Sequence, residues 1–231
     1  MRYWCQIYFQ NRATLSGIRV QWVFGLYCVV TFAIFVFVAL RIATSCLAPY
    51  TYILMQTNHV LERIWGIVPL IILTFLSWPS IGLLYAISEL ESPLVTLKCV
   101  GHQWYWEYEY SDFGLVSYNS YIVPEEDLKL GEPRVLTVDK SVVLPFSVWC
   151  RILTTSFDVI HSWAVPALGV KSDAVPGRLS ESRVKIETPG VFWGQCSEIC
   201  GALHRFMPIR VEVVRCEVFG KWINFMEEMN G

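Results

Sequence analysis

The sequence has 231 residues, of which 54% are hydrophobic and only 16% are charged, and its net charge is −2. Globular chains contain about a quarter charged residues, so this composition excludes an intrinsically disordered chain, a collagen-like chain and a strongly basic nucleic-acid-binding protein. The charge is unevenly distributed: residues 1–88 contain five arginines and one glutamate (+4), whereas residues 89–231 contain 13 basic and 19 acidic residues (−6). We therefore expect the two parts of the chain to meet different surroundings.

Two long apolar runs occupy the first part of the chain. Residues 20–40 and residues 64–88 carry no charged side chain, and a transmembrane helix needs about 20 predominantly apolar residues. We predict a membrane α hairpin within residues 1–88, with two transmembrane helices at about 20–47 and 64–88. Two alternatives are less favoured. Uncharged runs of this length are rare in soluble core helices, and the first run is too long for a signal peptide and lacks a nearby A-x-A cleavage site.

A hairpin with two spans places both ends of the chain on one side of the membrane. The arginines are distributed too evenly around the first span to settle which side this is. Three of them precede it, and two lie in the loop 41–63. This small excess mildly favours an N-terminus on the inner side.

The second part of the chain, residues 89–231, has the pattern of a β-rich domain. Trp106, Tyr108 and Tyr110 alternate with acidic residues, which is the period of a half-buried strand. Short β-rich runs separated by turn residues predict an all-β sandwich or barrel. These runs are Leu94–Tyr110, Arg134–Val138, Ser141–Leu144, Phe146–Leu153, Arg183–Ile186, Gly190–Trp193 and Pro208–Val214. The final segment, Glu217–Met229, has the apolar spacing of a short amphipathic helix.

A cluster of soft metal ligands lies in residues 194–208, which read GQCSEICGALHRFMP. Cys196, Cys200, His204 and Met207 fall within twelve residues, and thiolate, imidazole and thioether together favour copper. A blue-copper site needs one cysteine, so the second thiolate could bridge two copper ions, each completed by one histidine and one weak ligand. The other histidine is then His161, in HSWAVPALGVKSDAVPGR at residues 161–178.

Three other interpretations of the cysteine pair remain open at this point. Cys196 and Cys200 could form a disulfide. They could bind zinc, although methionine is a poor zinc ligand and no further cysteine lies nearby. They could belong to a thioredoxin-like copper-delivery protein, although no βαβ pattern is present.

The chain resembles subunit II of cytochrome c oxidase, of the mitochondrial type in the haem–copper oxidase family. The resemblance rests on the strings GHQWYWEYEY (101–110), HSWAVPALGVKSDAVPGR and GQCSEICGALHRFMP. It implies a cupredoxin-like barrel with a binuclear copper centre, CuA, bridged by Cys196 and Cys200. One copper would be completed by His161 and Met207, and the other by His204 and the backbone carbonyl of Glu198. The Glu198 carboxylate would also bind magnesium shared with subunit I.

The resemblance also implies the function of the chain. Electrons from cytochrome c would enter at Trp104, with Tyr105 close by, and pass through CuA to haem in subunit I. Dioxygen reduction and proton pumping would occur in subunit I, and Glu62 would help protons enter there. The chain would lie in the mitochondrial inner membrane, in contact with lipid and other oxidase subunits. Its copper domain would face the intermembrane space.

Acidic side chains are expected to attract the basic cytochrome c. Asp112, Asp139, Asp158 and Glu198 stand at positions typical of the family, but residues 114–119 read GLVSYN and lack the carboxylates that relatives often carry. We therefore expect a weaker or relocated docking field. The six remaining cysteines match no ligand spacing and are interpreted as small apolar residues.

Two other classes compete with this interpretation. A quinol oxidase subunit would have the same architecture without copper ligands, whereas the ligands are present here. A membrane-anchored copper chaperone, or another electron-transfer protein with a CuA domain, would bind copper outside an oxidase. A chaperone would be expected to have one membrane helix and a thioredoxin pattern, and neither is found in the sequence.

Overall fold

The computed structural model describes residues 9–48, 57–88, 92–114 and 116–230. The chain forms two compact units, which are considered separately. One comprises Arg19–Ala86, and the other comprises Met1–Ile18 together with Ile87–Gly231. The predicted domain boundary at residue 88 lies close to this division and stays a prediction.

Two long helices, α1 (Leu15–Leu47) and α2 (His59–Ile87), form the helical part of the chain. Both are long and apolar enough to cross a membrane, and most of their large apolar side chains are exposed, as expected of surfaces that meet lipid or other subunits. The Tyr27 hydroxyl group lies 2.9 Å from Ser80 Oγ and thus joins the two helices. The predicted pair of apolar helices is therefore confirmed.

Both helices begin about five residues before the apolar runs do, because polar caps extend them. Thr14 Oγ1 accepts a hydrogen bond from the Gly17 amide at 3.0 Å. Asn58 Oδ1 likewise accepts from the amides of Val60 and Leu61, at 3.2 and 3.1 Å. Side-chain acceptors at these positions satisfy amides that have no partner within the helix.

The rest of the chain forms two five-stranded sheets and a final helix. The sheet orders are β3-β2-β1-β5-β8 and β4-β10-β9-β6-β7. The strands are β1 (Val95–His102), β2 (Tyr105–Tyr110), β3 (Val116–Ser120), β4 (Val142–Pro145), β5 (Trp149–Ser156), β6 (His161–Val165), β7 (Val170–Ala174), β8 (Ser180–Lys185), β9 (Gly190–Cys196) and β10 (Pro208–Val214). The predicted β sandwich is therefore confirmed.

The core lies between the two sheets, and alternating residues of β2 illustrate how it forms. Trp106, Tyr108 and Tyr110 are buried, as their period of two predicts. They belong to one apolar cluster with residues of the other sheet, such as Trp163. The final helix, α3 (Cys216–Asn230), contributes Phe219 and Ile223 to the same cluster.

Several strand predictions were wrong in detail. The run Leu94–Tyr110 forms two strands rather than one, because a turn at Gln103 and Trp104 reverses the chain. Residues 134–138 form no strand. Val135 adopts a left-handed φ of 65° there, and the Leu136 amide donates to the Pro133 carbonyl in a turn. The sequence prediction also missed β3, β6 and β7.

An N-terminal strap, residues 9–14, is bound to the sandwich. The Ala13 amide donates to the Ala167 carbonyl at 2.9 Å, and the Ala13 carbonyl accepts from the Glu187 amide at 2.7 Å. Thr14 Oγ1 donates to the Leu168 carbonyl at 2.7 Å. Both Ala13 and Thr14 are buried, so this segment is part of the folded β unit.

Candidate metal centre

The sheet that contains β6, β9 and β10 brings the predicted ligands together. Cys196 ends β9, and Met207 immediately precedes β10, so the loop between these antiparallel strands carries four of the donor groups. The Cys196 amide donates to the Met207 carbonyl at 3.0 Å and closes the base of the loop. His161 begins β6, which pairs with β9 through Trp163 and Cys196.

Six potential donor atoms converge at this point. His161, Cys196 and Cys200 are buried, and their ligand atoms lie within 4.8 Å of one another. The sulfur atoms of the two cysteines are 3.9 Å apart. Cys196 Sγ is 3.9 Å from His161 Nδ1 and 3.4 Å from the Glu198 carbonyl oxygen. Cys200 Sγ is 3.5 Å from His204 Nδ1 and 3.7 Å from Met207 Sδ. Every ligand predicted from the sequence is therefore in the same cluster.

Asp158 fixes the orientation of His161. Its Oδ1 lies 2.8 Å from His161 Nε2, which leaves Nδ1 facing Cys196. Histidine ligands commonly bind a carboxylate through the ring nitrogen that is not used for the metal. Burial lowers the pKa of His161, but its hydrogen bonds with Cys196 and Asp158 outweigh this effect, and the pKa is raised.

The two cysteine thiols differ in acidity. Burial raises the pKa of Cys196, but hydrogen bonds from His161 and the backbone outweigh burial, so its pKa lies below that of a free thiol. Burial, followed by the charge of Cys196, raises the pKa of Cys200. Because a thiolate is the form that binds metal, a cation entering the cluster would displace the remaining proton.

This donor set fits a soft metal ion better than the alternatives. Cys196 and Cys200 are both free thiols, so they form no disulfide in this structure. Zinc prefers four cysteine or histidine ligands, whereas a buried methionine lies among the donors here. Two sulfurs, two imidazoles, a thioether and a carbonyl are the kinds of ligand that copper takes in electron-transfer sites.

Trp104 and Tyr105 lie in the turn and strand beside this cluster. Both are half-buried rather than fully exposed, and Trp104 Nε1 donates to the Cys200 carbonyl at 3.2 Å. The indole is therefore one hydrogen bond from the backbone of a predicted ligand. The Tyr105 ring stacks on His102, with ring centres 4.6 Å apart, and contacts Tyr121 at 4.7 Å.

The structure gives local roles to three carboxylates that were predicted to form a docking field. Asp112 accepts from the Thr96 amide, and Asp139 accepts from the Tyr121 amide at 2.7 Å. Asp158 binds His161 and also accepts from the Gln103 amide at 2.7 Å. Glu198 is exposed. In the range 114–119, Leu115 lies outside the described residues.

Sequence reasoning missed one residue of this site, Gln103. Its side-chain amide donates to the Cys200 carbonyl at 2.8 Å. The residue precedes Trp104 in a string that the sequence analysis quoted, but nothing in its spacing indicated a partner 97 residues away.

The other sequence-predicted residues lie outside this cluster. Glu62 is in the first turn of α2, where its Oε2 is 3.1 Å from His59 Nδ1. Of the cysteines outside the cluster, Cys28, Cys46, Cys99, Cys150 and Cys216 are free thiols. Cys5 lies outside the described residues.

Comparisons with known proteins agree with this geometry. The family model "Cytochrome C oxidase subunit II, periplasmic domain" matches residues 95–214, and "Cytochrome C oxidase subunit II, transmembrane domain" matches residues 2–83. The chain belongs to the cytochrome c oxidase subunit II family. Subunit II of Drosophila melanogaster is 54% identical over 167 residues, which is 72% of this chain and 73% of the relative. That of Branchiostoma floridae is 50% identical over 177 residues, 77% of each chain.

A solved structure supports the fold of the β unit. The periplasmic domain of subunit II of cytochrome oxidase from Bradyrhizobium japonicum is 40% identical to this chain, with a TM-score of 0.57. The match covers 61% of this chain and 99% of that domain. As a subunit II of cytochrome c oxidase, the chain is part of an oxidoreductase complex, and its cluster of histidine and cysteine ligands supports a copper centre. Neither rival class is favoured.

Proposed function

We propose that this subunit receives electrons one at a time from reduced cytochrome c and passes them to haem in subunit I. There, dioxygen is reduced to water and protons are pumped. The observation that carries the proposal is the convergence of six donor atoms around the Cys196 and Cys200 sulfurs. A copper centre at this position would accept and release single electrons.

We infer that the centre is binuclear, because two thiols with one histidine each can hold two ions. His161 contacts Cys196, and His204 contacts Cys200. Met207 lies against Cys200, and the Glu198 carbonyl lies against Cys196, where each can act as a weak ligand. The two sulfurs, 3.9 Å apart, would bridge the ions.

The protein contributes a rigid cage to this chemistry. His161, Cys196, Cys200 and Met207 are all buried, and paired strands hold both ends of the ligand loop. The bond to Asp158 prevents rotation of the His161 ring. Side chains held in this way need to move little when the charge of the site changes, and this favours rapid electron transfer.

Electron entry at Trp104 is supported by its contact with the site. The indole reaches the surface in part and donates its N–H to the Cys200 carbonyl. Tyr105 and Tyr121 flank the same surface with their rings, and such aromatic groups suit a contact with a partner protein. The net charge of −6 on residues 89–231 would speed encounter with the basic cytochrome c.

The strap supports the membrane topology that we propose. Residues 9–14 are hydrogen-bonded to the sandwich, so the segment before α1 and the domain after α2 lie on the same side of the membrane. Two crossings satisfy this arrangement. We place the chain in the mitochondrial inner membrane, with residues 1–88 as the N-terminal segment and membrane hairpin. Residues 89–231 then form the copper domain in the intermembrane space, and subunit I and lipid surround the helices.

Two further assignments concern Glu198 and Glu62. The Glu198 side chain is exposed while its carbonyl faces the site, so its carboxylate is free to bind magnesium at the contact with subunit I. Glu62 lies at the start of a membrane helix beside His59. A carboxylate at this boundary is suited to passing protons toward subunit I.

The binuclear assignment is tested by loading the full-length chain with copper in detergent and recording its metal content and EPR spectrum. We expect two coppers per chain, with hyperfine splitting shared between them. Cys200→Ser should abolish this signal, whereas Cys150→Ser, which changes a buried thiol outside the site, should preserve it. One copper with an ordinary blue-site spectrum would contradict the proposal.

Electron entry is tested in the assembled oxidase with Trp104→Phe, which removes the N–H donor and keeps an aromatic ring. We expect slower reduction by cytochrome c with an intact copper signal. Trp222→Phe is the matched control, because Trp222 is also half-buried but lies on α3. Equal rates for the two variants would exclude Trp104 as the entry point.

A further inference from the structure

Gln103 contacts both segments that carry the metal ligands. It lies in the turn between β1 and β2, which belong to the sheet without ligands. Its backbone amide donates to Asp158 Oδ2 at 2.7 Å, and its side-chain amide donates to the Cys200 carbonyl at 2.8 Å. Asp158 Oδ1 in turn binds His161 Nε2 at 2.8 Å. A continuous series of hydrogen bonds therefore joins one cysteine ligand to one histidine ligand.

The contact at the ligand loop is closely packed as well as hydrogen-bonded. A Cβ atom at Gly201 would lie 3.2 Å from Gln103 Nε2 and 3.0 Å from Trp104 Cζ2. Gly201 also has a φ of 123°, which residues with a side chain rarely adopt. The loop can therefore approach the turn only because residue 201 is glycine, and this approach brings the Cys200 carbonyl within reach of both donors.

The other bonds of the loop hold different parts of it. The Cys196 amide binds the Met207 carbonyl at the base, and the Ser197 amide binds the Ser162 carbonyl at 3.0 Å. These bonds hold the first residues after β9. Cys200, near the middle of the loop, is anchored through its carbonyl by Gln103 and Trp104.

We propose that Gln103 is a positioning residue that holds Cys200 and His161 at a set separation, in the metal-free as well as the metal-loaded chain. The proposal rests on the proposed function, in which Cys200 and His161 are copper ligands. Gln103 itself is not a ligand. It acts through the Cys200 carbonyl on the loop and through Asp158 on His161.

The metal-free, full-length chain in detergent tests the proposal directly by amide hydrogen exchange in residues 197–207. Gln103→Leu keeps the approximate size of the side chain and removes its donor. We expect these amides to exchange about five- to tenfold faster, as the loss of one hydrogen bond implies. Asn119→Leu is the matched control, because this amide on β3 donates to Tyr121 Oη and touches no ligand. Unchanged exchange in Gln103→Leu would overturn the proposal.

The copper-loaded chain provides a second readout. We expect Gln103→Leu to retain two coppers but to show a shifted reduction potential and altered hyperfine splitting, because the Cys200 backbone is no longer held. Gln103→Asn, whose amide is one methylene shorter, should show the same effects and serves if the leucine variant fails to fold. A wild-type spectrum and potential in a folded variant would refute the positioning role. Failure of the wild-type chain to bind copper would instead refute the proposed function, and the exchange measurement would still test the clamp.

Discussion

Gly101→Ala is expected to disturb the metal centre through His161. The methyl group added at residue 101 would lie 2.8 Å from His161 Cδ2, 2.9 Å from Cγ and 3.0 Å from Cβ. Carbon atoms in ordinary contact are about 3.5–4.0 Å apart. All three atoms belong to the same side chain, so His161 must move as a body to relieve the overlap.

The size of the effect follows from this overlap. The histidine would have to move by about 0.5–1 Å to regain normal contacts, whereas metal–ligand distances tolerate changes of only about 0.2 Å. The ring is fully buried and its other nitrogen is held by Asp158, so it has little space in which to adjust. We expect overpacking to cost about 1–3 kcal/mol of unfolding free energy and copper affinity to fall about 10- to 100-fold.

Copper titration with EPR detection, together with thermal unfolding of the metal-free chain, measures the two effects separately. Gly220→Ala is the matched control, because no atom lies within 4 Å of the added methyl group on exposed helix α3. This control should bind copper normally and unfold at the same or a higher temperature, since alanine favours a helix. Unchanged copper affinity and spectrum in Gly101→Ala would show that His161 is not a ligand held by this contact.

Three other changes have defined outcomes. Met207→Leu, at a buried position, should cost less than about 1.5 kcal/mol and retain two coppers while changing the reduction potential, as measured by spectroelectrochemistry; an unchanged potential would remove Met207 from the ligand set. Burial raises the pKa of Tyr110, so above pH about 10 it ionises first in the unfolded chain and stability falls as pH rises; Tyr110→Phe should reduce that fall by about 1.4 kcal/mol per pH unit in denaturant titrations, and an equal slope would contradict the argument. Thr14→Val removes a buried bond to the Leu168 carbonyl and the cap of α1, so it should lower stability by about 1–3 kcal/mol; Thr44→Val, exposed within α1, should have little effect, and equal losses would show that the strap contributes nothing.

The residues that were predicted correctly depend on short-range patterns. Cys196, Cys200, His204 and Met207 lie within twelve residues, so their chemistry and spacing could be recognised together. The alternation of Trp106 and its neighbours likewise predicts a strand whatever its partners are. Helix ends were less accurate, because they depend on caps such as Asn58 rather than on hydropathy.

Asp158 and Gln103 show why other roles could not be predicted. Asp158 was interpreted as part of a docking surface, but it binds His161 and the Gln103 amide. Gln103 carries no charge and no metal-binding group, and its partner Cys200 is 97 residues away. Such roles arise only where the turn between β1 and β2 meets the ligand loop.

The sequence by itself determined the two apolar helices, the β-rich domain and the soft ligands of a copper centre, because each depends on composition or spacing over a few residues. The tertiary structure decided how these ligands are held. Strand pairing brings His161 to Cys196, Gly101 limits the space beside the imidazole ring, and the strap joins the segment before α1 to the sandwich. These contacts link residues that are distant in the chain, and their distances depend on how the two sheets pack.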